Sequence, residues 1–135
     1  MTDAGAAYDR HVGRYGAQLA AGLVEVAGIR PGQRVLDVGC GPGPLTAALA
    51  EVVGAGLVSA VDPSAPFVAA CRARVPGADV RVGAGERLPF DDDAFDAALA
   101  QLVVQLMDDR EAGVREMARV TRPGGAVAAL VWDAT

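Results

Sequence analysis

Three glycines in five positions, Gly39-Cys-Gly-Pro-Gly43, follow directly on the apolar run Arg34-Val-Leu-Asp-Val38 and lead into a helical stretch that begins with Pro44. Few folds accommodate that order. Glycine lets a chain turn through positive φ and lets a ligand approach the backbone with no Cβ in the way. Proline at the start of a helix loses nothing, because its missing N–H would have no partner there. A turn that joins the carboxyl end of a parallel strand to the amino end of a helix is where open α/β sheets hold ligands.

The rest of the chain repeats the strand–helix unit. Leu19, Leu23, Val26 and Ala27 recur at helical spacing and predict an amphipathic helix over 8–27, closed by Gly28 and stopped by Pro31. Strands are predicted at 33–38, 57–61, 78–82, 95–101 and 126–132, and helices at 44–53, 65–74 and 110–120, with a turn at Gly124-Gly125. This alternation implies βαβ units and a parallel sheet. The strands are apolar nearly throughout, as expected when helices cover both faces. A chain of 135 residues supports one domain with one core, read here as a helical cap over 1–30 and a ligand-binding core over 31–135. Aromatics make up only 4%, so Ala, Val and Leu must fill that core.

Charge and residue usage exclude several classes. The net charge of -5 argues against a broad nucleic-acid footprint, which needs a basic face. All 12 basic residues are arginine, so a phosphate loop of the Walker type, which needs lysine, is ruled out. No apolar run approaches the ~18 residues of a membrane helix, and two cysteines without a dense pattern suit a reduced interior. The expectation is a cytoplasmic protein with no membrane and no nucleic-acid partner. Asp91-Asp-Asp93 reads as a solvated turn, because consecutive residues point apart and no matching ligand accompanies them; no metal site is expected. His11, alone on a helix, reads as a surface residue, Cys40 as a small filler of the loop, and Cys71 as core.

Spacing separates two cofactor types. A dinucleotide fingerprint wants Gly-x-Gly-x-x-Gly; here the third glycine comes one place early and Pro44 stands in its position. Asp62 ends the second strand ~20 residues after the loop, where ribose-binding acids sit in nucleotide folds. A carboxylate there accepts hydrogen bonds from both ribose hydroxyls. The competing role, capping the helix after Pro63-Ser64, falls more readily to Ser64.

Val35-Leu-Asp-Val-Gly-Cys-Gly-Pro-Gly43 resembles the first motif of class I S-adenosylmethionine-dependent methyltransferases, in their small-molecule branch, and the resemblance runs from Tyr8 to Trp132. It implies a Rossmann-like doubly wound sheet in strand order 3-2-1-4-5 with an N-terminal helix, and S-adenosylmethionine as cofactor. By the same resemblance Asp37 orients the loop near the methionine end. Gly39, Cys40, Gly41 and Gly43 line the cofactor's path, and Asp62 with Pro63 holds the ribose. Gly83-Ala-Gly-Glu-Arg-Leu-Pro-Phe90 resembles the stretch in which an Asp meets the adenine amino group. That place is Ala84 here, which leaves the backbone of Ala84 and Gly85 and the side chain of Glu86 to contact the ring. The resemblance also implies that Gln101 lies under the methionine end. Tyr8, Arg14 and Tyr15 resemble the first helix of the family, where an Arg pairs with the methionine carboxylate; a solvated Arg14 and a packing Tyr15 form the competing reading. Gln105 is read as substrate-facing or as an exposed loop residue.

The expected function is methyl transfer from S-adenosylmethionine to a small-molecule substrate, with no catalytic base assigned. A non-catalytic cofactor-binding or regulatory module and an NAD-dependent oxidoreductase are the alternatives. The family's sheet continues past the fifth strand with a helix and an antiparallel pair. A chain stopping at Thr135 is therefore expected to be part of a longer enzyme, or to self-associate through the fifth-strand edge.

Overall fold

The computed structural model describes residues 14–101 and 107–130, with side chains from position 18 onward. Five parallel strands form one sheet: β1 (Val35–Val38), β2 (Val58–Asp62), β3 (Asp79–Val82), β4 (Phe95–Gln101) and β5 (Thr121–Leu130), in the order β3-β2-β1-β4-β5. Among the described residues four α-helices accompany them: α1 (Arg14–Val26), α2 (Pro44–Val53), α3 (Ala65–Arg74) and α4 (Arg110–Val120). The order reverses at β1, between β2 and β4. That switch point places the β1–α2 turn at the carboxyl edge of the sheet, open to a ligand.

Alternation along each strand builds the two layers. Val35, Val58, Ala97 and Leu99 pack with Ala20, Leu23 and Val24 of α1 and with Leu45, Leu49 and Val53 of α2. The four-residue spacing of that last trio sets them on one stripe of the helix. Ala60 and Val80 meet Val68 and Cys71 of α3. The opposite face carries Leu36, Val38, Val61, Ala98 and Ala100, covered by Met117 and Val120 of α4 and by Leu88 and Phe95. Phe90 stands edge-on to Phe95, with ring centres 5.2 Å apart at 82°.

Local chemistry fixes the helix starts. Ser64 caps α3 by accepting from Phe67 N (3.3 Å), and Asp109 caps α4 by accepting from Ala112 N (3.0 Å). On the edge strand β3, the Val80 carbonyl accepts two bonds from Arg72 (Nε 3.0 Å, Nη2 2.7 Å), which ties α3 to it.

The fifth strand starts earlier than the expected 126–132, whose last two positions lie outside the described residues. It begins at Thr121, opposite Phe95, breaks, and resumes with Ala126 opposite Ala97. Pro123 has no N–H to give a ladder, Gly124 takes φ 83°, and a Cβ on Gly125 would collide with the Asp96 carbonyl. The Arg122-Pro-Gly-Gly125 turn is thus a bulge inside β5, not the boundary before it. The second strand also runs one residue further than expected, with Asp62 opposite Val82.

Candidate cofactor site

Gly39, Gly41 and Gly43 all take positive φ (73°, 55° and 102°), a conformation that side chains resist. Their amides have fixed partners. Gly39 N and Cys40 N both donate to the Val61 carbonyl (2.7 and 3.0 Å), and Gly41 N donates to Asp62 Oδ2 (3.0 Å). The other oxygen of Asp62, Oδ1, accepts from Ser64 N (2.8 Å). Asp62 therefore braces the glycine loop from the end of β2 and shapes the start of α3, while each of its oxygens keeps a second lone pair for a ligand. Gly43 plays another part: a Cβ there would sit 2.9 Å from Cys71 Sγ and 3.4 Å from Cys71 Cα, so its bareness lets α3 pack against the loop.

Asp37 lies beneath the loop, 1% exposed. Its Oδ2 accepts from the Thr46 hydroxyl at 2.7 Å, and the Thr46 hydroxyl in turn accepts a long bond from Cys71 Sγ (3.5 Å). The second oxygen, Oδ1, has no hydrogen-bond partner among the described residues. Burial pushes the Asp37 carboxyl up to about 7; the Thr46 hydroxyl opposes the rise and the Asp62 charge adds to it. The Cys71 thiol and then burial keep the Cys40 thiol well above its usual range, which suits a packed filler and not a nucleophile.

A pocket of about 390 Å³ opens beside the loop. It is lined by Val38 and Gly39 where β1 ends, by Asp62, Pro63, Ser64 and Phe67 around the start of α3, and by Ala84, Gly85, Glu86, Met107 and Asp108. A mostly apolar slot with a buried carboxylate at one side suits a flat base joined to a diol.

The structure gathers Gly39, Asp62, Pro63, Ala84, Gly85 and Glu86 around this pocket, and places Cys40, Gly41 and Gly43 in the loop behind it. Asp37 lies under that loop, and Gln101 is buried at the end of β4, neighbouring β1. Arg14 and Tyr15 open α1, their side chains outside the described residues. Tyr8, His11 and Gln105 also fall outside them. Sequence reasoning missed Thr46, Phe67, Met107 and Asp108. For Thr46 a signal existed, since a polar residue on the buried stripe of α2 must have a partner; the contacts of the other three arise only from the fold.

A family model described as a methyltransferase domain matches residues 36–129. Over 102 residues the chain is 41% identical to a demethylmenaquinone methyltransferase of Beutenbergia cavernae, an alignment that spans 76% of this chain and 42% of that protein. The YcgJ protein of Bacillus subtilis superposes with a TM-score of 0.72 at 30% identity, covering 80% of this chain and 48% of that one. A methyltransferase of Haloferax volcanii, solved with the methyltransferase activator Trm112, gives 0.73 at 30% identity, covering 87% and 51%. The chain thus spans about half the length of these proteins or less. The match over most of the chain, together with the sheet order and the glycine loop at its switch point, places the chain in the class I S-adenosylmethionine-dependent methyltransferase family.

Proposed function

We propose that this chain forms the cofactor-binding part of an enzyme that methylates a small molecule with S-adenosylmethionine. The observation that carries the reading is Asp62, which braces Gly41 and Ser64 while lining the pocket. In this reading its free lone pairs receive the ribose hydroxyls. Pro63, Phe67, Ala84, Gly85 and Met107 enclose the adenine, with Glu86 and Asp108 at the rim. The unpartnered Oδ1 of Asp37 gives the loop a buried acceptor suited to the cationic methionine end.

Bound there, S-adenosylmethionine would supply an electrophilic methyl group on a sulfonium, whose leaving group is a neutral thioether. A neutral leaving group needs no acid, so the protein's task is to orient the reactants in line and exclude water. Glycine amides fixed on the Val61 carbonyl and on Asp62 provide that rigidity. A small-molecule acceptor is favoured by the net charge of -5 and by the relative named for demethylmenaquinone.

Calorimetric titration with S-adenosylmethionine, S-adenosylhomocysteine and NAD tests the reading. Micromolar binding of the first two and none of NAD is expected, and Asp62→Ala should abolish it. Binding of NAD alone, or of none of the three, would overturn the reading.

A further inference from the structure

The pocket wall at residues 84–86 belongs to no strand or helix; a single turn bond, Arg87 N to the Ala84 carbonyl (3.1 Å), is its own internal support. Helix α4 holds it from outside. Arg119 donates five hydrogen bonds: Nε to Glu116 Oε2 (2.6 Å), Nη2 to Glu116 Oε1 (3.1 Å) and to the Leu88 carbonyl (3.1 Å), and Nη1 to the Phe90 carbonyl (3.0 Å) and to Asp92 Oδ1 (2.7 Å). Glu116 Oε1 also accepts from Leu88 N (2.8 Å), and Asp93 N donates to the Arg119 carbonyl (3.0 Å). A guanidinium has five N–H groups, and here each has an acceptor. On the pocket side Met107 is wedged between Gly85 and Gly113, since a Cβ on either would collide with its thioether. The chain that follows the wall is thus fastened to α4 by a charged fork at Leu88 and Phe90, and the wall itself by a methionine seated against the bare backbone of Gly85 and Gly113.

Exposed ion pairs contribute little. This one is part-buried, with side chains 32% and 19% exposed, and it bridges a helix to two main-chain carbonyls of a segment that lacks ladder bonds. Lysine could not replace the arginine, because an ammonium is a point donor without the planar fork.

We infer that Arg119 and Glu116 are positioning residues for the cofactor: they act through Leu88 and Phe90 to hold the 84–86 wall against Asp62, Pro63 and Phe67. The inference rests on the cofactor site proposed above and adds to it two residues on α4 that do not line the pocket.

The test compares wild type, Arg119→Lys, Arg119→Gln and Glu116→Gln, with Arg122→Gln as control because Arg122 pairs with Asp96 away from the pocket. Calorimetry gives Kd for S-adenosylhomocysteine and for adenosine, and hydrogen exchange follows the amides of residues 84–90, 35–38 and 58–62. Both Arg119 variants should weaken the two ligands by the same factor, about tenfold or more, the equivalent of ~1.4 kcal/mol. Exchange at 84–90 should quicken while 35–38 and 58–62 stay protected, a split that general destabilisation does not give. Glu116→Gln keeps an acceptor for Leu88 N and should fall between; it carries the test if an Arg119 variant fails to fold. Unchanged Kd values, a loss confined to S-adenosylhomocysteine, or loss of protection across β1 and β2 would each overturn the inference while leaving the site reading intact. A wild type that binds neither ligand overturns both.

Discussion

Asp37→Asn isolates the cost of a buried charge. The carboxyl is 1% exposed, accepts one hydrogen bond from Thr46, and titrates at about 7 in place of 3.8, chiefly through burial. The folded protein therefore binds an extra proton between pH ~4 and ~7 relative to the unfolded chain, and stability must fall as pH rises through that window. The gap between 3.8 and about 7 amounts to roughly 4 kcal/mol at ~1.4 kcal/mol per pH unit. Asparagine has no such titration. Its carbonyl can keep the Thr46 bond, but its amide stands where Oδ1 has no partner among the described residues, a pH-independent penalty of ~1–3 kcal/mol. Near pH 4.5, where only about 1 kcal/mol of that gap has developed, the variant should thus be no more stable than wild type. The difference should narrow with rising pH and reverse sign by pH 8, where the variant is more stable by about 1–3 kcal/mol. Urea unfolding followed by circular dichroism at half-unit steps from pH 4.5 to 8.5 gives the curve directly. A stability difference that stays flat across that range would refute the argument, because it would mean that Asp37 ionises as easily inside the protein as outside.

Three further outcomes follow from packing. Gly125→Ala places a Cβ against the Asp96 carbonyl and the Thr121 methyl, both within the β4–β5 junction, and should lower stability by at least ~1–3 kcal/mol in urea unfolding. Leu49→Ala empties a fully buried site between α2 and the sheet and should cost about 2–5 kcal/mol, read as a lower urea midpoint at unchanged slope. Arg122→Gln breaks a pair whose side chains are 46% and 26% exposed, so its effect should stay below ~1 kcal/mol and shrink further in 0.5 M salt.

The contrast between Asp62 and Arg119 shows what a sequence can disclose about such a site. Asp62 was legible because its signal is local: an acid at the end of a strand, a fixed distance past a glycine turn. The same locality made α2, α3 and α4 readable to the residue, since they start at Pro44, after Ser64 and after Asp109, and made β4 readable as an apolar run. Thr121 joined β5 only because Phe95 lies opposite it, and pairing across 26 positions leaves no mark in either segment. Arg119 hid for the same reason. Along the chain it is one end of a Glu-x-x-Arg pair on a helix, a spacing that ordinarily means a solvated surface contact worth a few tenths of a kcal/mol. Its significance comes from the Leu88 and Phe90 carbonyls about thirty residues earlier, which only the fold brings to it. The residues of this pocket are therefore divided physically. Asp62 and the three loop glycines announce themselves by backbone conformation and spacing, while Phe67 and Met107 in the pocket and the α4 groups that grip Leu88 and Phe90 become visible only once the strands are ordered.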